Sequence, residues 1–330
     1  MTAATAAPLR LGTRASLLAT TQSGHVADAL RIATGRDVEL VPITTAGDVL
    51  TGPLTQLGGT GVFVAALREA LLRGECDLVV HSMKDLPTGA VPGLALAAVP
   101  PRESQRDVLC SRDGHTLQTL PHGAVVGSGS PRRVAQLLRH RPDLDVRGIR
   151  GNVDTRLRKV HDGEYDAIVL AEAGLSRLGR TDEIADRFDL DGWPTSAGQG
   201  ALAVEVRDDD PALAALVARV GDAVSTTASL LERAVLAKLE AGCAAPVGIS
   251  ARPQGSAAGG AAGSSSPAAQ IELIAEVYAL DGARHVRVVR SVDPADVAGP
   301  EQRAAVAADV VAELLAGGAA DLADLSGTGR

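Results

Sequence analysis

Ala124-Val125-Val126-Gly127-Ser128-Gly129-Ser130-Pro131-Arg132-Arg133 reads as a β-strand that turns through two glycines into a helix. The apolar run suits a buried strand. Ser130 is a natural N-cap, and Pro131 falls at the first helical position, where a missing N–H costs least. Two more junctions have the same grammar. Gly12-Thr13-Arg14-Ala15-Ser16 follows a strand at Leu9 to Gly12 and opens a helix from Ser16 to Ala33. Arg150-Gly151-Asn152-Val153-Asp154-Thr155-Arg156 follows a strand at Asp145 to Ile149 and opens a helix near Val153, with Asn152 as its cap. Strands alternating with helices are the signature of an α/β fold.

Working outward, Val38 to Ile43 and Asp77 to His81 read as further strands of a first module, with a helix from Val62 to Arg73 between them. Thr44 to Gly61 has no clear period and reads as a long loop, a length that is often functional. A second module begins near Arg106 and includes a strand at Asp166 to Leu170. The chain leaves it at Pro194-Thr195-Ser196-Ala197-Gly198-Gln199-Gly200, and the strand-like Ala201 to Val206 can rejoin the first sheet. Two α/β modules joined by a double crossing predict a hinged cleft.

The last third opens with a helix from Thr226 to Leu239, whose Leu230, Leu231, Val235, Leu236 and Leu239 are spaced for one buried stripe. Strands at Val247 to Ser250 and Gln270 to Tyr278 and a helix at Ala304 to Leu315 follow. Between the strands, Pro253 to Ala269 is mostly Gly, Ala and Ser, and reads as a flexible surface insertion over 253–269. The expected domains are 8–104 with 199–220, 105–198, and a smaller α+β domain at 221–330.

The chain has 330 residues, 22% of them charged, and a net charge of −8. Its mean hydropathy is +0.12 and its pI about 5.4, as for a soluble globular protein. Neither a secretory signal nor an apolar run of roughly 18 residues is apparent, so a cytoplasmic protein without a membrane span is expected. Cys76, Cys110 and Cys243 are far apart and odd in number, without a CxxC pair, so neither a metal site nor a disulfide framework is expected.

Basic residues are unevenly spread. Between Ser130 and Val160 nine Lys and Arg stand against three Asp. A cationic region in an acidic protein points to a defined anionic ligand. Nucleic acid is disfavoured, because aromatic residues are 2% of the chain and the net charge repels a polyanion. Free N–H groups and the positive dipole end at the three junctions suit carboxylates or phosphates, and adjacent Arg forks suit them further.

His81-Ser82-Met83-Lys84-Asp85-Leu86-Pro87-Thr88 lies at the carboxyl end of another strand. Asp85 among so many cations is a candidate for stabilising positive charge or handling a proton, beside the plainer reading of a loop carboxylate neutralised by neighbours. Lys84 would hold it ionised, and His81 reads as completing hydrogen bonds at the strand end. Cys243 stands in Leu239-Glu240-Ala241-Gly242-Cys243-Ala244-Ala245-Pro246, past a helix that Gly242 can end. A thiol there could carry an attached group, although an unpaired cysteine is more often a small buried hydrophobe.

From about Leu9 to Leu315 the chain resembles the porphobilinogen deaminase, or hydroxymethylbilane synthase, family. The motifs are Leu11-Gly12-Thr13-Arg14-Ala15-Ser16, His81 to Pro87, Arg150 to Leu157, Gly198-Gln199-Gly200-Ala201 and Gly242-Cys243, in the family's order and spacing. The resemblance implies two hinged binding-protein-like α/β domains, a smaller α+β domain carrying the cofactor cysteine, and a cytoplasmic monomer. It implies a dipyrromethane held as a thioether on Cys243, onto which four porphobilinogen molecules are added head to tail with loss of ammonia before hydrolysis releases hydroxymethylbilane. Asp85 matches the catalytic aspartate. Lys84, Asp85, Ser128, Ser130, Arg132 and Arg133 match the cofactor-binding set, and Arg14, Ser16, Arg150, Arg156, Arg177 and Gln199 the substrate-binding set. Arginine's bidentate fork suits the acetate and propionate groups of each ring better than a lysine.

One departure concerns the loop Gln56-Leu57-Gly58-Gly59-Thr60-Gly61-Val62-Phe63, because many relatives carry lysines at Gln56 and Thr60. The loop is therefore expected to cover the cleft sterically, with Phe63 packed beneath it. The competing reading from another class is a non-catalytic anion-binding protein of the hinged two-domain type, against which Cys243 and the third domain argue.

Overall fold

Hydrophobic alternation sets the first sheet. The computed structural model describes residues 7–43, 61–242, 245–254 and 270–325, so Gln56, Thr60, Cys243 and nearly all of the 253–269 insertion lie outside the described residues, as does the side chain of Phe63. The described chain forms two compact units, 1–102 with 201–226 and 103–200 with 227–330.

In the first unit, β1 (Leu9–Thr13), β2 (Val38–Pro42), β3 (Leu78–Ser82), β4 (Leu94–Ala98) and β10 (Leu202–Arg207) form a sheet ordered β2-β1-β3-β10-β4. β1 runs parallel to β2 and β3, while β10 runs antiparallel to β3 and β4. Alternate residues serve opposite faces, as the strand period requires. Leu78 and Val80 join Leu11, Leu30 and Val204 on the face covered by α1 (Leu17–Thr34). Val79 joins Leu67, Ala70 and Leu71 of α2 (Gly61–Leu72) on the other.

The second unit holds a sheet of the same plan. β5 (Asp107–Ser111), β6 (Val125–Gly127), β7 (Asp145–Arg147), β8 (Ala167–Ala171) and β9 (Asp186–Arg187) are ordered β7-β6-β8-β5-β9. β6 is parallel to β7 and β8, and β5 is antiparallel to β8 and β9. In both sheets the fourth position is thus taken by an antiparallel strand, β10 or β5, that follows a chain crossing. α3 (Pro131–His140), α4 (Val153–His161) and α5 (Glu172–Arg177) accompany this sheet. Ser130 and Asn152 cap α3 and α4 as expected, accepting from Arg133 N and Thr155 N.

The same unit contains β11 (Val247–Pro253), β12 (Ile271–Tyr278) and β13 (His285–Val292), an antiparallel sheet. α6 (Pro211–Val217) belongs to the first unit, and α7 (Ala223–Lys238) continues from it into the second. α8 (Pro300–Ala316) and α7 cover the three-stranded sheet. Leu231, Val235 and Leu239 are buried there, each worth about 1.5–3 kcal/mol, while Leu230 of the expected stripe is half-buried. Together these sheets give the α/β class with a smaller α+β part that the sequence predicts. Among the described residues no single helix is long and apolar enough to cross a membrane.

Two backbone positions carry strain arguments. Gly200 has φ +86°, and a Cβ there would lie 2.4 Å from the carbonyl oxygen of Glu103. α7 stops at Lys238, one residue short of the expected Leu239, and Glu240, not a glycine, takes the left-handed turn with φ 52°. Gly200→Ala is expected to destabilise the protein by about 1–3 kcal/mol, and Glu240→Gly to stabilise it by about 1 kcal/mol. Urea unfolding followed by circular dichroism measures both, and an unmoved midpoint in either variant contradicts the backbone argument.

Candidate active site

Because β1 and β3 are parallel neighbours, paired Leu11 to Leu78 and Gly12 to Val79, their carboxyl ends deliver two motifs to one sheet edge. From β1 comes the turn holding Thr13, Arg14 and Ser16. Thr13 is buried and its hydroxyl lies 2.8 Å from that of Ser23, while Ser16 Oγ caps α1 by accepting from Ala19 N. Arg14 and Ser16 are half-buried.

From β3 comes the single 3₁₀ turn Met83–Asp85. Met83 is fully buried and its N–H donates to Ala201 O at 3.0 Å, and Leu86 N–H closes the turn on Met83 O. Two apolar anchors thus flank Lys84 and Asp85, which stay half-buried. Burial pushes the Asp85 carboxyl above the ordinary aspartate range, against the opposing pull of Lys84, His81 and Arg14. A carboxyl held between desolvation and neighbouring cations can both keep and release a proton.

His81 lies beneath this turn, 5% exposed, with Nε2 3.2 Å from Glu205 Oε2. Glu205 of β10 also receives Arg68 of α2 through two bonds, Nε at 2.8 Å and Nη2 at 2.6 Å. Burial alone would raise the Glu205 carboxyl, but Arg68 and His81 hold it down to about 2.

In the second unit, Ser128 and Ser130 follow β6. Ser128 is buried and its N–H donates to Arg147 O, while Ser130 N–H donates to Ser128 Oγ. Arg132 and Arg133 turn inward from the first turn of α3, 2% and 9% exposed. Both meet Asp107, the first residue of β5: Arg132 Nη2 at 2.9 Å on Oδ2 and Arg133 Nη2 at 2.6 Å on Oδ1. Burial opposes ionisation of Asp107, yet the two guanidinium groups hold it far below the ordinary carboxylate range.

The remaining arginines are graded by burial. Arg150 is exposed. Arg156 is half-buried, with Nε donating to Gly151 O at 2.8 Å. Its burial and the like charge of Arg133 both lower its pKa, which places the two arginines within electrostatic reach. Arg177 Nη2 donates to Gly200 O at 2.6 Å. Gln199 is fully buried, and its side-chain amide donates to Gln105 O and to Asp107 Oδ1, both at 2.8 Å.

The structure therefore gathers Arg14, Ser16, Lys84 and Asp85 at one edge in the first unit. In the second it gathers Ser128, Ser130, Arg132, Arg133, Arg156, Arg177 and Gln199. Sequence reasoning missed the acids behind them, Asp107 and Glu205. The available signal was a lone acid in an apolar run, Asp107-Val108-Leu109-Cys110 and Val204-Glu205-Val206. Among the described residues, no three His, Cys, Asp or Glu side chains form a metal-binding group.

Two guanidinium groups share one carboxylate at Asp107, and both Nε atoms are buried without a hydrogen-bond partner. This surplus of buried positive charge and orphaned donors fits a polycarboxylate ligand such as a pyrrole oligomer.

The comparisons with known proteins agree. The family described as porphobilinogen deaminase, dipyromethane cofactor binding domain, matches residues 9–215, and the C-terminal domain of porphobilinogen deaminase matches 226–314. The porphobilinogen deaminase of Leifsonia xyli is 52% identical, over 97% of this chain and 95% of that one. That of Cutibacterium acnes is 49% identical over 97% and 98%, and that of Thermobifida fusca 51% over 86% of each. The two family matches span both halves of the chain, and with relatives at half identity over nearly its whole length, it belongs to the porphobilinogen deaminase family.

Proposed function

We propose that Asp85 is the catalytic carboxylate of this hydroxymethylbilane synthase, and that the arginines at the strand ends hold the acetate and propionate groups of the substrate chain. The enzyme condenses four porphobilinogen molecules head to tail onto a dipyrromethane primer, with loss of ammonia, and hydrolyses the product to hydroxymethylbilane in tetrapyrrole (heme) biosynthesis. The alternative of a non-catalytic anion-binding protein is set aside by the family matches over both halves of the chain.

One observation carries the role of Asp85. Its carboxyl is raised by burial and ringed by Lys84, His81 and Arg14. A half-buried acid whose desolvation raises its pKa, beside cations that favour its charge, has the opposed influences that general acid–base chemistry uses. As the aminomethyl group of porphobilinogen leaves as ammonia, positive charge develops on the pyrrole, and a carboxylate accepting the ring N–H stabilises it. The same carboxyl can give a proton to the departing amine and later take one from the joined ring.

When bound, the dipyrromethane supplies the two starting rings from which the chain is extended. In this reading Cys243 attaches it, Ser128, Ser130, Arg132, Arg133 and Lys84 hold its carboxylates, and Arg14, Ser16, Arg150, Arg156, Arg177 and Gln199 serve the incoming substrate. The three separate sheets support three domains, 8–104 with 199–220, 105–198, and 221–330. We read the enzyme as a cytoplasmic monomer, and the buried free thiols of Cys76 and Cys110 fit a reducing compartment.

Three outcomes test the reading. Asp85→Asn is expected to lower turnover about 10²–10⁴-fold while leaving circular dichroism unchanged. Because the folded pKa of Asp85 is raised, its ionisation costs stability as pH climbs from the unfolded toward the folded value. The variant should therefore be at least as stable as wild type at neutral pH and lose that advantage in acid, where both side chains are neutral. Wild-type turnover in this variant removes Asp85 from the role. Arg156→Leu should raise KM about tenfold to a hundredfold with Arg150→Leu milder, and equal, wild-type kinetics in both would exclude them from substrate binding. Intact-protein mass spectrometry should show two pyrrole units on the wild type and none on Cys243→Ala, and a bare wild-type mass in active enzyme refutes the attachment.

A further inference from the structure

Asp107 has no part in the roles above, yet its carboxylate accepts four side-chain hydrogen bonds. It is 0% exposed. Arg133 Nη2 and Gln199 Nε2 meet Oδ1 at 2.6 and 2.8 Å, and Arg132 Nη2 and Trp193 Nε1 meet Oδ2 at 2.9 and 3.1 Å. Four donors fill the acceptor positions of one carboxylate. Asp107 thus has no capacity left for a ligand and acts only through its partners.

Those partners are fixed at second points. Arg132 Nη1 donates to Gln136 Oε1 at 2.7 Å and Pro194 O at 3.3 Å, and Arg133 Nη1 to Val169 O at 3.1 Å. A guanidinium tied at two nitrogens cannot swing, so its remaining N–H groups point one way before any ligand arrives. In both residues the Nε is buried and has no hydrogen-bond partner among the described residues. One carboxylate against two guanidinium groups also leaves one positive charge uncompensated in the interior, which is costly until an anion neutralises it.

We propose that Asp107 is a positioning residue for primer capture: it clamps Arg132 and Arg133 in the orientation that receives the primer's carboxylates, and Trp193, sharing the same carboxylate, registers their occupancy. The proposal rests on the reading of Arg132 and Arg133 as primer-binding residues. Because Trp193 is the chain's single tryptophan, its indole N–H is a built-in reporter of the clamp.

The test separates charge from position. Asp107→Asn/Arg132→Met removes one negative and one positive charge, so the surplus stays on Arg133 without its carboxylate, and it is compared with Arg132→Met alone, in which Asp107 still holds Arg133. Protein made in cells lacking porphobilinogen is given that substrate, and primer loading is followed by intact mass, with thermal unfolding as the check on folding. The clamp predicts a folded double variant that loads about a hundredfold more slowly than Arg132→Met, although it carries one more positive charge; loading at the rate of Arg132→Met overturns it.

If the double variant does not fold, wild-type protein labelled with ¹⁵N-tryptophan decides. The one indole cross-peak must shift between unloaded and loaded enzyme and stay put in Cys243→Ser given the same substrate; no shift in the wild type overturns the proposal. Arg133→Gln tests the underlying reading. Normal loading in that variant removes both, whereas slow loading there with a double variant no slower than Arg132→Met removes the clamp alone.

Discussion

Arginines gathered in one place repel one another, and half-buried ones do so through a medium that screens poorly. The structure meets this constraint with one buried acid in each α/β sheet. Glu205 holds Arg68 and His81, and Asp107 holds Arg132 and Arg133. Both acids sit on the antiparallel strand in the fourth position of their sheet, β10 and β5. These are the strands that follow the chain crossings, so each crossing delivers a counter-charge to the module it enters. Removing Asp107 would leave two guanidinium groups uncompensated in the interior, and removing Glu205 would leave that of Arg68, which is the costly direction for a buried pair.

The two acids differ in what they leave over. Glu205 engages one guanidinium and one imidazole behind the Lys84-Asp85 turn. Asp107 faces two guanidinium groups and leaves one positive charge unmatched. Under the proposed function, the first arrangement stands behind the carboxyl that exchanges protons and the second captures an anion. Arg156 and Arg177 continue the gradient outward, half-buried and lowered by desolvation, and Arg150 is exposed at its end. A ligand with several carboxylates can meet weakly and strongly desolvated cations in succession.

Much of this was legible in the sequence, because the legible part is local. Ser130, Pro131 and Asn152 announce helix starts through chemistry confined to four residues, and both caps form. β3 and β8 announce themselves through unbroken apolar runs. Less legible were Leu94-Ala95-Leu96-Ala97-Ala98 (β4), where alanine weakens the strand pattern, and β13, where Arg287 and Arg290 interrupt it. The end of α7 was read at Leu239, one residue past Lys238, but the left-handed turn falls on Glu240 and not on Gly242, the glycine that looked suited to it. Cationic residues were found from their types, but the division of Arg132 and Arg133 from exposed Arg150 was not. It depends on Asp107, which is distant in sequence and visible only as a polar residue heading an apolar strand.

Met83 and Leu86 root the turn that carries Asp85, through side chains sunk in the core and an N–H bonded to Ala201 at the head of β10. A group mounted on so short a pedestal has little travel of its own. With Asp85 as the catalytic carboxylate, the workpiece rather than the tool has to advance: after each coupling the lengthening polymer must be drawn past a stationary reaction point, as in a processive machine with a fixed head.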